Sequence, residues 1–279
     1  MPIDARRMVR KMRGGSQAHL IEASDGYHYV VKFENNPQHR RILINEWISA
    51  TFLSYLGLST PSVAIICVTE EFLSLNPDVY MQLGSQRFPP TVGWHFGSRF
   101  PGDPGRMAVY DFLPDALLGR IANLSEFVGV LAFDKWSGNA DARQAIFFRA
   151  KLRDEKSRDP AASPALGFIG QMIDNGYVFE GPNWRLTESP VQGLYFRPLL
   201  YRSVRGWADF EPWLERIRHF PEDVVDQALK EIPSAWMAED RENLERLLER
   251  LLARRKRVPD LIEDCRKART DPFPDWSAK

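Results

Sequence analysis

The chain has 279 residues, a length for one large domain or two small ones, with 44% apolar and 27% charged side chains. Its 37 Lys plus Arg balance 37 Asp plus Glu, so it lacks the cationic surplus that general nucleic-acid binding requires. No apolar run reaches the roughly 18 residues of a membrane span, and residues 1–7 lack the apolar stretch of a signal peptide. Two distant cysteines, Cys67 and Cys265, and five histidines without ligand spacing argue against a disulfide framework or a zinc site. A reduced, cytoplasmic setting is expected.

The first third reads as mixed strand and helix. Gln17 to Ser24 and Tyr27 to Phe33 are two short runs around Asp25-Gly26, a tight antiparallel hairpin. Gln38 to Leu56 reads as a helix closed by Gly57. The β-branched run Ser62 to Val68 reads as a buried strand, with another at Asp78 to Leu83. Residues 84–106 hold five Gly and four Pro and read as an irregular loop, in which Gly93 to Ser98 is expected to pack and anchor. Met107 to Phe112 is a short strand leading into Leu113-Pro114.

Further on, Ser125 to Phe133 reads as a helix with Ser125 as N-cap, followed by a polar loop from Asp134 to Gln144. Strands are expected at Ala145 to Ala150 and Leu166 to Ile173, around a charged hairpin tip at Lys151 to Pro164. The last third is helical, with Leu244, Leu247, Leu248, Leu251 and Leu252 forming one apolar stripe. The layout predicts an α+β, bilobal protein-kinase-like fold: a β-rich nucleotide-binding lobe over 1–113 and a mainly helical catalytic lobe over 114–279.

Phosphoryl transfer needs amides around the phosphates, a lysine held by a carboxylate, an acid to orient the acceptor, and oxygen ligands for magnesium. Gly14-Gly15-Ser16-Gln17, just before the hairpin, can bring backbone N–H groups to an anion. Lys32 interrupts an apolar strand and Glu46 an apolar helix face, and pairing them removes both anomalies. Asp134 and Asn139 stand five apart, the spacing of an acceptor-orienting acid and a magnesium-binding carboxamide. Asp174, at a strand end before Asn175-Gly176, is the second metal candidate. The adenine is expected along Tyr110, Asp111, Phe112 and Leu113, with Arg143 either touching phosphate or bracing the loop. A second register makes Asp141 the acid, but the residue five beyond it, Ile146, cannot ligate a metal. It ranks below Asp134.

The strings Met12-Arg13-Gly14-Gly15-Ser16-Gln17, Tyr29-Val30-Val31-Lys32-Phe33, Asn45-Glu46, Phe133-Asp134-Lys135-Trp136-Ser137-Gly138-Asn139 and Ile173-Asp174-Asn175-Gly176 resemble the HipA-like kinase family, in its short stand-alone bacterial branch. Trp136 stands where toxin-type members usually carry His. The resemblance implies ATP with Mg2+, Lys32 and Glu46 as the nucleotide-binding pair, Asp134 as the catalytic acid, and Asn139 with Asp174 on the metal. It implies transfer to a hydroxyl acceptor, with Ser/Thr of a protein expected. A nucleotide-binding pseudokinase and a small-molecule kinase are the alternatives. Neither nucleic acid nor membrane is expected as a partner.

Overall fold

A computed structural model of the protein describes residues 1–152, 165–195, 197–269 and 271–277. The hairpin tip expected after Leu152 lies largely outside them. Strands β1 (Ile3–Lys11), β2 (His19–Ala23) and β3 (His28–Lys32) precede helix α1 (Arg41–Leu56). Then come β4 (Val63–Val68), α2 (Glu70–Leu75), the small hairpin β5 (Met81–Leu83) and β6 (Gln86–Phe88), and β7 (Gly93–Arg99). Five of these strands close a barrel in the order β1-β2-β3-β7-β4, sealed by a parallel pairing of Ile3 with Ile66 and Asp4 with Cys67. Closure removes the exposed edges an open sheet would present. Ile21, Val31, Phe33, Ile66 and Val68 fill its interior together with Phe72 and Met81.

Two barrel strands depart from the sequence reading. β1 is missing from it because Arg6, Arg7, Arg10 and Lys11 occupy most of its outward positions and its apolar residues Ile3, Ala5, Met8 and Val9 keep no clean alternation. β7 falls inside the stretch taken as a loop, yet it pairs with both β3 and β4 at the heart of the barrel. Its Gly97 is there for room: a Cβ would stand 2.6 Å from the Ile66 side chain. Gly in a strand often marks such a close approach.

The short strand β8 (Val109–Tyr110) joins a second sheet, β10-β9-β8, with β9 (Gln144–Leu152) and β10 (Ala165–Ile173). Helices α3 (Asp115–Leu118) and α4 (Glu126–Ser137) lie between β8 and β9. After β10 the described chain is helical, with α5 (Trp213–Arg218), α6 (Glu222–Glu231), α7 (Ser234–Met237), α8 (Arg241–Arg254) and α9 (Val258–Lys267). The larger core packs α1 and α4 against these helices. At its centre Trp136 stacks on Phe52 with ring centroids 5.7 Å apart and meets Phe220 at 4.8 Å. Both α1 and α4 are buried nearly all round, which accounts for their lack of an amphipathic stripe. Among the described residues no helix is long and apolar enough to cross a membrane.

Candidate active site

Strand β3 carries Lys32 into the region between the barrel and the β9–β10 sheet. Its ammonium donates to Glu46 Oε1 on α1 and, at 2.6 Å, to Asp174 Oδ1 just past β10. Glu46 is 4% exposed and turns its other oxygen to the Asn175 amide, 3.1 Å away. Burial works against the Lys32 charge, but the two carboxylates overcome it and leave its pKa raised. Asp174 responds in kind: Lys32 holds its carboxyl below the usual range despite partial burial. Three residues distant in sequence thus meet at one nitrogen. Asp174 adopts φ 57°, which swings its side chain back across the end of β10, where Gln144 Nε2 donates to Oδ2 at 3.0 Å.

Helix α1 is fastened in place from the other side. Asn45 Nδ2 donates to the carbonyls of Gly176, Val178 and Gly181 at 2.7–3.2 Å, and Asn45 Oδ1 accepts from Trp184 Nε1 at 2.8 Å. One fully buried carboxamide therefore binds the helix that carries Glu46 to the segment that follows Asp174. Its four partners use both donors and the acceptor, as burial demands.

The expected loop from Asp134 to Gln144 is shorter in the structure, because α4 runs on to Ser137 and ends at Gly138 with φ 63°. Asp134 consequently sits inside the helix and is fully buried. Its carboxylate accepts a two-armed contact from Arg143, with Nε to Oδ2 at 2.8 Å and Nη2 to Oδ1, and a third bond from Asn139 Nδ2 at 3.0 Å. Gly193 closes the remaining side: a Cβ there would lie 2.1 Å from Asp134 Cβ. Asp134 therefore presents no oxygen to a substrate, which corrects its reading as the acceptor-orienting acid. Asn139 is likewise corrected as a metal ligand: it is 1% exposed, gives its amide to Asp134 and takes the Asp141 N–H on its oxygen at 3.2 Å. Arg143 braces the loop, spanning Asp134, the Ile173 carbonyl and Asn175 Oδ1.

The exposed acid of this loop is Asp141, lying between that buried brace and the start of β9. One of its oxygens accepts the Ala142 amide at 2.8 Å. Trp136 stays away from the loop altogether, with Nε1 donating to the Leu251 carbonyl at 2.8 Å inside the core.

The Gly14–Gln17 turn joins β1 to β2. Gly14 has φ 117° and its carbonyl accepts from the Gln17 amide at 3.1 Å. Among the described residues the amides of Gly14, Gly15 and Ser16 donate to no protein acceptor. Gln17 belongs to the scaffold instead: its carboxamide exchanges bonds of 2.6 and 2.8 Å with the backbone of Gln82 in β5. That removes it from the anion-binding set.

The segment expected to meet the adenine, Tyr110 to Leu113, has part of its bonding capacity already in use. Tyr110 is laddered to Phe147 on β9, and the Leu113 carbonyl accepts from Arg197, whose guanidinium lies 4.6 Å over the Phe112 ring. Asp111 points outward, exposed. A cavity of 530 Å³ opens nearer the end of β7, lined by His28, Ser62, Arg99, Phe100, Phe148 and Gln171 among others. Inside the Gln171 side chain, Oε1 is buried and has no partner among the described residues. A buried acceptor without a donor is a cost that a bound donor would relieve. His28 is four residues before Lys32 on β3, which puts their Cα atoms about 13 Å apart along the strand. Sequence reasoning missed Gln171 because a lone polar residue in an apolar strand gives no spacing signal.

No curated protein matches the chain. Among solved structures, a crystal structure of the Golgi casein kinase is similar with a TM-score of 0.50 at 12% identity, covering 99% of this chain and 78% of that one. A structure of the Golgi casein kinase with Mn/ADP bound gives a TM-score of 0.47 at 10% identity, over 96% and 73% of the two chains. At such identities the first likeness shows the fold alone, an α+β protein-kinase-like one. The sequence profile described as HipA-like kinase matches residues 6–146, half of the chain, and takes in the β1–β2 turn, Lys32, Glu46 and Asp141. The protein belongs to the HipA-like kinase family.

Proposed function

We propose that the protein is an ATP-dependent phosphotransferase of two lobes, residues 1–113 and 114–279, that passes the γ-phosphoryl group to a hydroxyl, with protein Ser/Thr as the favoured acceptor. The observation that carries this reading is the convergence of Lys32, Glu46 and Asp174 at one buried ammonium. A lysine so held is a rigid cation aimed at phosphate oxygens, and rigidity is what positioning catalysis needs. Free amides at Gly14, Gly15 and Ser16 would cap the phosphates from the β1–β2 turn. The base would enter the cavity beside Phe148, where the Gln171 carboxamide, turned to present its partnerless Oε1, would accept from an exocyclic amine.

Asp141, rather than Asp134, would face the acceptor. Its carboxylate would orient the hydroxyl and take its proton as the new P–O bond forms and the β–γ bridging bond breaks, releasing ADP. General-base assistance of this kind is typically worth about 10²–10⁴-fold. Asp174 fits a hard divalent cation such as Mg2+, having one carboxylate oxygen beyond the Lys32 contact and a side chain 37% exposed. When bound, that ion would neutralise charge on the phosphates.

The test is ADP release from Mg·ATP in the presence of general protein acceptors and simple alcohols. The expected result is Mg2+-dependent turnover that is lost in Lys32→Met and in Asp141→Asn. Nucleotide binding without turnover across all acceptors would favour a regulatory module, and no binding at all would overturn the reading.

A further inference from the structure

The cation-binding half of the site is one donor short. Asp174 has Oδ2 free of Lys32, but the carboxamide that spacing assigns to the metal, Asn139, has spent both its atoms on Asp134 and Asp141. Ile146, five beyond Asp141, is apolar. Asn175 gives its oxygen to Arg143, and Glu46 divides its two between Lys32 and the Asn175 amide. Among the described residues no group of three or more His, Cys, Asp or Glu side chains could hold a metal. The side chain already in contact with the free oxygen of Asp174 is a neutral carboxamide, Gln144.

We propose that Gln144 is that donor: its amide oxygen and Asp174 Oδ2 form an adjacent pair of ligands for the divalent cation that accompanies the nucleotide. The proposal rests on the kinase reading above. Gln144 opens β9 directly opposite Ile173, the neighbour of Asp174, so the ladder fixes the two side chains next to each other. Its amide is 3.0 Å from Asp174 Oδ2. Magnesium–oxygen bonds of about 2.0–2.1 Å at right angles put adjacent ligand oxygens about 2.9 Å apart. The spacing already present is thus that of two neighbouring corners of an octahedron. Half a turn about the terminal torsion, a broad two-fold one, exchanges the amide nitrogen for the oxygen at that point.

The charge balance suits a cation that arrives with its substrate. Lys32 is offset by Glu46, and Gln144 is neutral, so Asp174 alone supplies negative charge to the ion until phosphate oxygens join it. Binding of the metal by itself should be weak, and binding with nucleotide should be strong. Gln144 is exposed and lies on no core contact, so its replacement leaves the fold intact.

The probe is Mn2+, followed by electron paramagnetic resonance in the presence of ADP or β,γ-imido-ATP. Gln144→Ala is expected to weaken Mn2+ in the ternary complex by about tenfold or more. Line broadening by 17O-water should show one additional water on the bound ion in that variant. Gln144→Glu should restore affinity to the wild-type level or above. Equal Mn2+ affinity and equal hydration in wild type and Gln144→Ala would overturn the proposal, as would a Gln144→Glu variant no better than Gln144→Ala. Wild-type protein that binds nucleotide with no help from Mn2+ would overturn it while sparing the nucleotide reading. Wild-type protein that binds no nucleotide would remove both.

Discussion

Replacing Asp134 or Asp141 by alanine separates two kinds of carboxylate in one short stretch. Asp134 and Arg143 are both 0% exposed and bound to each other through two hydrogen bonds, so removing the acid leaves a guanidinium in the core without its counter-charge. Breaking a buried pair in this way costs about 3–5 kcal/mol. For a chain of this size each kcal/mol lowers the melting temperature by about 2–4 °C, so Asp134→Ala should melt about 6–20 °C below wild type. Asp141 is exposed, and Asp141→Ala should change stability by less than about 0.5 kcal/mol while lowering phosphoryl transfer about 10²–10⁴-fold. The double variant Asp134→Leu/Arg143→Met should regain only part of the lost stability, since it removes the uncompensated charge but leaves the Asn139 amide, the Ile173 carbonyl and Asn175 Oδ1 without partners. The assays are thermal unfolding by circular dichroism and ADP release. An Asp134→Ala protein that melts like wild type but transfers no phosphate, beside an active Asp141→Ala protein, would refute the assignment.

Three further outcomes follow from the packing. His95 is fully buried, accepts the Glu34 amide on Nδ1 and faces the Thr91 carbonyl with Nε2, and burial lowers its pKa to about 4. A depressed folded pKa means that stability is complete above the unfolded value of about 6.5 and drains away as pH falls towards 4, by about 3 kcal/mol in all. Urea unfolding between pH 7 and 4 should therefore show a shallower acid slope in His95→Gln, and an unchanged slope would contradict it. Gly97→Ala should cost about 1–3 kcal/mol through the collision with Ile66, read as a drop in the urea midpoint; a drop equivalent to under 0.5 kcal/mol would show that the barrel yields freely. Gln171→Leu should weaken adenine nucleotide binding about 2- to 10-fold, the worth of one hydrogen bond, in calorimetric titration. Undiminished affinity would place the base elsewhere.

Much of the architecture was legible because its signals are local. The Asp25-Gly26 hairpin, the helix ending at Gly57 and the β-branched run of β4 each carry their own turn or cap chemistry, and all three stand where that chemistry puts them. β1 and β7 were not legible, because their pairing is decided by the barrel: one is arginine-rich on its outer face, the other glycine-rich where strands crowd. The site shows the same division. Lys32 and Glu46 stood out as charges in apolar runs, and the structure joins them. Asp134 stood out instead by its five-residue spacing to Asn139, yet there the pattern marked a structural pair with Arg143, nine residues on in an otherwise unremarkable loop. The available corrective was Gly138: read as a C-cap, it extends α4 past Asp134 and makes Asp141 the first acid outside the helix. Five-residue spacing alone could not tell which acid opens the motif.

Asn45 has one last consequence. In many phosphotransferases the helix bearing the lysine's partner swings, and catalysis waits until some event draws it inward. Here any outward swing would tear four bonds from a single side chain in the dry interior, at once and without water to replace them. Such a joint behaves as a rivet rather than a hinge: Lys32 stays cocked at rest, and under the proposed phosphotransferase function restraint would have to come through access of the substrates.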